Sequence, residues 1–384
     1  MSSLLHHSRW VGWLILAFAI TFTATFWHRH DPSSLLAEES PLDRSGAEFV
    51  GKKVCGECHE NNHRWHSEHG HASTFAVVDQ TGLPEQLEGR SFEAGDGYGT
   101  FYYQKGENGE LIASLGTNAD SDSIPLQFVL GSGLHAKTFL TLLSSSDSEP
   151  SGMEHRGTLF RNDMLGITPG QASSRPQTES ERFGDVHSGL PLRRCVYCHI
   201  TTGEIVGREI VGLTPNVDCE KCHGPGREHV RHARAKLDPL PAYSVGTENW
   251  DAEAEIQLCG DCHRMPRDVT VMEVRDYPDV LVRFQPIGLL RSDCYLESGQ
   301  SLRCSSCHNP HQSTRFESKE AHEKKCITCH SEEHASQVAC PESPTTGCVG
   351  CHMPPVEVSE GLSFHDHWIR VRESDSDRHH ARGQ

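Results

Sequence analysis

The sequence predicts a mostly α-helical fold with little regular secondary structure and a small β-containing insertion. Three observations lead to this prediction. A five-residue cysteine and histidine motif recurs along the chain, most copies lie too close together for more than one helix between them, and only 35% of the residues are hydrophobic. A chain of 384 residues is long enough for two ordinary domains, but this composition is poor in core-forming side chains. The interior is therefore expected to depend on more than side-chain packing.

The recurring motif is Cys-x-x-Cys-His, and its seven copies contain fourteen of the sixteen cysteines. Random placement of these residues would give about 0.05 copies of a string that is typical of c-type haem attachment. Two thiols three residues apart bind the two vinyl groups of one porphyrin, and the histidine that follows ligates the iron. Structural zinc and a thioredoxin-like dithiol are the alternatives, but neither requires a histidine directly after every second cysteine. The copies are CGECH (55–59), CVYCH (195–199), CEKCH (219–223), CGDCH (259–263), CSSCH (304–308), CITCH (326–330) and CVGCH (348–352).

The motifs therefore predict seven covalently bound c haems, whose porphyrin faces supply the apolar surface that the composition lacks. The expected attachment residues are Cys55, Cys58, Cys195, Cys198, Cys219, Cys222, Cys259, Cys262, Cys304, Cys307, Cys326, Cys329, Cys348 and Cys351. The expected proximal ligands are His59, His199, His223, His263, His308, His330 and His352.

Each iron also needs a second axial ligand or has an open site. A histidine a few residues after its own motif cannot easily pass round to the opposite face of the same haem, so it is expected to bind the iron of a neighbouring haem. The alternative for any one of them is an exposed or hydrogen-bonded side chain. The histidines in this position are His229, His311 and His334.

The domain organisation follows the spacing of the motifs. We expect an N-terminal membrane anchor or signal segment at 1–30, a linker at 31–50, a first haem segment at 51–80, an insertion with a β-hairpin at 81–190, a six-haem core at 191–370 and a polar tail at 371–384. The hairpin is predicted from GTFYYQKGENGELIASLG, where β-favouring flanks enclose a Gly-Glu-Asn-Gly turn. HAKTFLTLL is expected to form another strand or a short helix.

The N-terminal segment predicts the location. Residues 10–27 carry no charge, follow Arg9 and are bracketed by tryptophans. This pattern favours an uncleaved transmembrane helix that places the remaining chain on the periplasmic side of the bacterial inner membrane. The alternative is a cleaved signal peptide and a soluble periplasmic protein.

The charge of the chain limits its partners. The formal net charge is −18, which makes nucleic acid an unfavourable partner. The acidic residues either keep the surface soluble or complement a basic redox partner. The expected partners are redox proteins or quinol-linked membrane complexes, with membrane contact through the N-terminal segment.

Several strings resemble a known family. WHSEHGHA, CEKCHGPGREHV, SDCYLESGQSLRCSSCHNPH, GCVGCHMPP and FHDHWIRV are similar to multihaem c-type cytochromes allied to the cytochrome that accepts electrons from hydroxylamine oxidoreductase. That group shares its haem packing with pentahaem nitrite reductase. The resemblance implies distal ligands at His69, His229, His311 and His367, with His135, His322 and His334 as further candidates. No motif ends in lysine, as the catalytic motif does in many pentahaem nitrite reductases, and this departure speaks against nitrite reduction.

The sequence thus predicts a heptahaem electron carrier in which bis-histidine coordination fills both axial positions. The alternative is a multihaem oxidoreductase with one open iron that acts on a small nitrogen or sulfur compound of the nitrite or hydroxylamine type. A haem-based sensor is a third hypothesis, but the chain has no recognisable output domain. The two cysteines outside the motifs, Cys294 and Cys340, predict a disulfide, with two separate buried thiols as the alternative.

Overall fold

The computed structural model describes residues 48–95, 97–118, 120–144, 149–238, 245, 250–276, 278–331, 340–343, 345–359 and 362–372. The predicted N-terminal segment 1–30, nearly all of the linker, His334 and most of the polar tail lie outside these residues.

Within the described ranges, no helix is both long enough and apolar enough to cross a membrane. This finding contradicts the predicted transmembrane anchor, because none of the described helices could form it. Residues 1–30, on which that prediction was based, are not among the described residues.

The helices of the described part are short, and many end at or contain a haem motif. In chain order they are α1 (Lys52–Gly56), α2 (Glu60–Ser67), α3 (Leu83–Leu87), α4 (Leu190–His199), α5 (Cys219–His223), α6 (Arg227–Ala235), α7 (Ala252–His263), α8 (Val271–Asp276), α9 (Gln285–Leu289), α10 (Asp293–Glu297), α11 (Cys304–Cys307), α12 (Lys319–Ile327) and α13 (Cys348–His352). Short 3-10 turns join them at Gly70–Ser73, Val78–Gln80, Ser180–Phe183, Pro266–Asp268, Pro278–Arg283 and Thr314–Phe316.

The strands form antiparallel sheets. They are β1 (Phe75–Val77), β2 (Ser91–Glu93), β3 (Thr100–Lys105), β4 (Leu111–Ser114), β5 (Ser123–Leu126), β6 (Phe128–Leu130), β7 (Ala136–Leu143), β8 (Ser151–Phe160), β9 (Leu165–Ile167), β10 (Gly184–Ser188), β11 (Ile200–Val206), β12 (Glu209–Pro215), β13 (Pro355–Ser359) and β14 (Leu362–His365). The larger sheet has the order β1-β6-β7-β8-β10, with β9 paired to β8, and the smaller has the order β2-β3-β4-β5. The pairs β11-β12 and β13-β14 are separate hairpins.

The predicted fold class is wrong. The structure has 38% helix and 25% strand, with several antiparallel sheets, where a mostly α fold with little regular structure was expected. The predicted hairpin is present as β3-β4, and HAKTFLTLL forms strand β7 and not a helix. The excess strand comes from β6 to β10 and from hairpins inside the expected six-haem core. In EIVGREIVG, β-branched residues flank a two-residue Gly-Arg connection, which is typical of a hairpin.

The two main sheets pack face to face. Phe101 and Tyr103 of the smaller sheet and Phe139 and Met153 of the larger sheet belong to one buried cluster. Neighbouring residues of the larger sheet point to its opposite face, because side chains alternate along a strand. That sheet is therefore buried on both faces, and such strands read as continuous apolar runs that periodicity cannot distinguish from a short helix.

The second face of the larger sheet supports a haem motif. Phe128, Leu140 and Leu142 pack there against Leu192 and Val196 of α4. Helix α4 ends at His199, so its apolar side binds the sheet while the motif 195–199 occupies its last turns. The predicted insertion thus packs directly against one haem-attachment helix and supports it.

A histidine lies fully buried between the two sheets. The Nδ1–H of His155 donates to the carbonyl oxygen of Phe183 at 2.8 Å, which leaves Nε2 to accept from the Tyr103 hydroxyl at 3.0 Å. The rings of Phe101 and Phe139 surround it. Burial lowers the pKa of His155 to about 4, because a charged imidazole there would lose its solvation.

We expect acid to destabilise this β region through His155. Its pKa is about 6.5 in the unfolded chain and about 4 in the folded chain, so the unfolded chain binds more protons between these values. Stability therefore falls as the pH drops from about 6.5 to about 4, by up to about 3 kcal/mol. In urea denaturation at pH 7 and pH 4.5, wild type should lose about 2–3 kcal/mol more of its free energy of unfolding than His155→Gln. Equal losses in the two proteins would contradict this role.

Candidate haem-binding sites

The motifs lie on short helices or at helix ends. Helices α5 and α13 each span one whole motif, and α4 and α7 each end at the motif histidine. Residues three apart in a helix lie on the same side, so the two cysteines of a motif present their thiols together. The local fold thus suits attachment of both thiols to one porphyrin.

Four of the motif histidines face a second imidazole from a distant part of the chain. The distances between ring centres are 6.3 Å for His59 and His229, 6.1 Å for His263 and His71, 6.1 Å for His223 and His311, and 6.2 Å for His308 and His367.

This separation fits two imidazoles on opposite sides of one metal ion. With metal–nitrogen bonds of about 2.0–2.1 Å, the two ring centres are expected about 6 Å apart. Direct stacking of aromatic rings also covers this range, and His66 and His69 have the same separation of 6.2 Å without a motif histidine. The four pairs differ from that one because each joins a motif histidine to an imidazole from a distant segment. The donor set and spacing therefore fit haem irons with two histidine ligands.

Hydrogen bonds orient several of these rings. The Nδ1–H of His199 donates to the carbonyl oxygen of Thr74 at 3.1 Å, and that of His352 donates to the carbonyl oxygen of Arg370 at 2.9 Å. His263 Nδ1 lies 3.0 Å from Gln285 Oε1, and His367 Nδ1 lies 3.0 Å from the carbonyl oxygen of His365. A donor bond at Nδ1 fixes the tautomer and leaves Nε2 available to a metal.

Burial favours the neutral form of several of the paired and motif histidines. It lowers the pKa of His71 to about 3 and that of His308 to about 4, and it also lowers the pKa of His199 and His263. Neutral imidazole is the form that ligates a metal.

The remaining candidate ligands lie elsewhere. His69 does not face a motif histidine, and its Nδ1 accepts from the backbone N–H of His71 at 3.0 Å. His135 packs against Phe364 with ring centres 5.0 Å apart. His322 lies 3.2 Å from the carboxylate of Glu317. Among the described imidazoles, none faces His199, His330 or His352 at the distance seen in the four pairs.

His71 was not among the candidates from the sequence. It stands two residues after His69 in WHSEHGHA, and nothing in that string distinguishes them. The 3-10 turn Gly70–Ser73 directs His71 toward His263, while the side chain of His69 caps the same turn. The only available signal was a second histidine in the same short run.

The motifs also touch one another through their thiols. The Cys55 thiol donates to Cys219, which raises the pKa of Cys55, and the Cys259 thiol donates to Cys304, which raises the pKa of Cys259. A hydrogen bond with Cys198 raises the pKa of Cys262 in the same way. The attachment points of motifs one and three, four and five, and two and four are therefore adjacent.

Cys294 and Cys340 are both free. The predicted disulfide between them is absent. Cys294 instead lies near the thiols of Cys307 and Cys329, while Cys340 lies near Cys348. Cys294 therefore lies beside the fifth and sixth motifs, whereas Cys340 lies beside the seventh.

The chain was compared with known proteins. Residues 171–224, which contain two of the motifs, match the sequence profile of a family described as "Cytochrome c554 and c-prime". None of the curated proteins matches the chain. Among solved structures, the chain is similar to "Crystal Structure of Outer Cell Wall Cytochrome OcwA", with a TM-score of 0.44 and 15% sequence identity over 84% of this chain and 80% of that chain. A likeness at this level says nothing about function.

The relation to the partner of hydroxylamine oxidoreductase and to pentahaem nitrite reductase stays a prediction. The matched profile over residues 171–224 and the seven repeated motifs support a coarser assignment, to c-type cytochromes that bind haem covalently and work in electron transfer.

Proposed function

We propose that this chain binds seven c haems and carries electrons between redox partners. The observation that supports it most is the set of four imidazole pairs with ring centres 6.1–6.3 Å apart, each containing one motif histidine. An iron held by two histidines has no position for a substrate, so such a site exchanges electrons only. When bound, the haem supplies the Fe(II)/Fe(III) couple.

The protein side chains would hold, orient and tune the haems. In this proposal the paired histidines are axial ligands, and the cysteines of the motifs form the thioether attachments. His71 is proposed as the ligand opposite His263 in place of His69, because the Nδ1 of His69 already accepts a hydrogen bond and its neutral ring then carries a proton on Nε2.

The proposed partners are redox proteins or quinol-linked membrane complexes. The net charge of −18 supports a partner with a basic face. Such complementarity acts mainly on the rate and orientation of encounter.

A second candidate function is that of an oxidoreductase with one open iron. It is favoured by the polar surroundings of His199 in the motif at 195–199. Polar groups lie in that region. Glu154 contacts His187 at 3.3 Å and accepts from Gln171, and both its charge and that of Arg283 influence the pKa of His199. A small nitrogen or sulfur compound is the proposed substrate class.

Haem stoichiometry and spin state test both proposals. Made with a c-type maturation system, the protein should have the mass of the chain plus seven haems, because each motif supplies two thiols. A wholly low-spin ferric spectrum that carbon monoxide and nitrite leave unchanged would support the carrier. One high-spin iron that binds nitrite or hydroxylamine, with turnover by a reduced dye, would support the oxidoreductase. A mass without covalent haem would contradict both.

The ligand choice between two neighbouring histidines can be measured directly. We expect His71→Ala to convert one low-spin iron to high spin in electron paramagnetic resonance, because it removes the imidazole 6.1 Å from His263. His69→Ala is the matched control and should leave the number of low-spin irons unchanged. The opposite result would assign the ligand to His69.

A further inference from the structure

Three buried glutamates accompany the haem motifs. Glu220, Glu255 and Glu323 are only 4%, 8% and 4% exposed. Glutamate is almost never this buried unless its carboxylate is paired, and a carboxylate is costly to remove from water. The partners of these three residues follow one pattern.

Glu220 lies inside the third motif and binds the start of the helix that leads into the first. Its Oε2 accepts from the backbone N–H of Gly51 at 2.8 Å, and its Oε1 accepts from Val50 at 2.9 Å and Gly226 at 2.8 Å. Gly51 is the residue immediately before α1. An ion pair of 3.0 Å between Lys52 and Asp218 joins the same two segments.

Glu255 lies on α7, one turn before the fourth motif, and binds the start of the fifth. Its Oε1 accepts from the backbone N–H of Ser305 at 2.6 Å, and its Oε2 accepts from the Ser305 hydroxyl at 2.8 Å. The indole N–H of Trp250 donates to Oε2 at 3.4 Å. Ser305 is in the first turn of α11.

Glu323 repeats the arrangement between the last two motifs. It lies on α12, three residues before Cys326, and its Oε1 accepts from the backbone N–H of Gly347 at 2.7 Å. Gly347 is the residue immediately before α13. Lys319 lies one turn away, with its Nζ 3.9 Å from Glu323 Oε1.

The three carboxylates share one geometry. Each belongs to one motif segment and binds the N-terminal N–H groups of another motif helix, which lack partners within that helix and favour negative charge. Charge-assisted bonds of this kind are about twice as strong as neutral ones. In the same three pairs, the first cysteines of the two motifs lie close together: Cys219 and Cys55, Cys259 and Cys304, and Cys326 and Cys348.

We propose that Glu220, Glu255 and Glu323 are positioning residues that fix haem-attachment helices in pairs and place a negative charge beside each pair of haems. The proposal rests on the proposed function as a haem-binding electron carrier. A nearby negative charge favours the ferric over the ferrous state, so each glutamate lowers the reduction potentials of its pair. Hydrogen bonding, burial and charge around a haem are the levers by which a protein sets its potential.

The decisive variants are Glu255→Gln and its control Glu253→Gln in the haem-loaded, full-length protein. Glutamine keeps an oxygen that can accept the Ser305 N–H, but it removes the charge. Glu253 is exposed on the same helix, so its replacement makes the same change of charge away from the contact between Glu255 and Ser305. In a spectroelectrochemical titration, we expect the potentials of two haems to shift in the positive direction in Glu255→Gln only. Matching titrations for the two variants would overturn the proposal.

A second pair of variants separates positioning from simple stability. Glu323→Ala should change the low-spin signals of the paired irons in electron paramagnetic resonance, and Glu323→Gln should restore these signals while its potentials stay raised. Glu320→Gln, an exposed change on the same helix, should behave as wild type. If Glu323→Ala yields no folded protein, the comparison of Glu323→Gln with Glu320→Gln still tests whether the charge of Glu323 lowers the potentials.

Haem content is measured by intact mass in every variant. A protein without covalent haems would contradict the proposed function. Seven haems with potentials that do not respond to Glu255→Gln or Glu323→Gln would contradict only the role of the glutamates.

Discussion

The facing of imidazoles from distant segments is the constraint on which the rest of this structure depends. In the proposed coordination, a motif supplies one of two ligands, and the second comes from another segment of the chain. The pairs therefore join segments that are far apart in sequence, such as His71 with His263 and His223 with His311. Each such pair brings distant segments together, and the helices of the described residues are too short to form a bundle by themselves.

The sheets and the buried glutamates also hold the motif helices in place. The larger sheet supports α4 through an apolar face, and Thr74, just before β1, fixes His199 through its carbonyl oxygen. At the other end, Glu255 and Glu323 connect the later motif helices by hydrogen bonds, where the buried apolar clusters are smaller. Apolar packing is thus most extensive around the two main sheets, while buried carboxylates connect motif helices in both parts of the chain.

Features that depend on a few neighbouring residues could be predicted from the sequence. Few of the contacts between distant segments could. Attachment cysteines and proximal histidines lie within five residues, so one motif identifies them. His229 and His311 were predicted to serve haems other than their own, and the structure places them opposite motif histidines that the sequence did not identify. His71 was missed because a turn of four residues decides between it and His69. The fold class was wrong because strands buried on both faces, such as β7, carry no alternation that separates them from helices.

The pairing of distant histidines also bears on the order in which the protein is assembled. His59 stands near the start of the described chain, but its partner His229 follows the third motif. In the proposed coordination, the first site is complete only when α6 has folded back onto the first motif. Contacts of such long sequence separation slow folding, because the loops between them must close first. In the proposed coordination, the first motif therefore depends for its second ligand on a segment about 170 residues further along the chain.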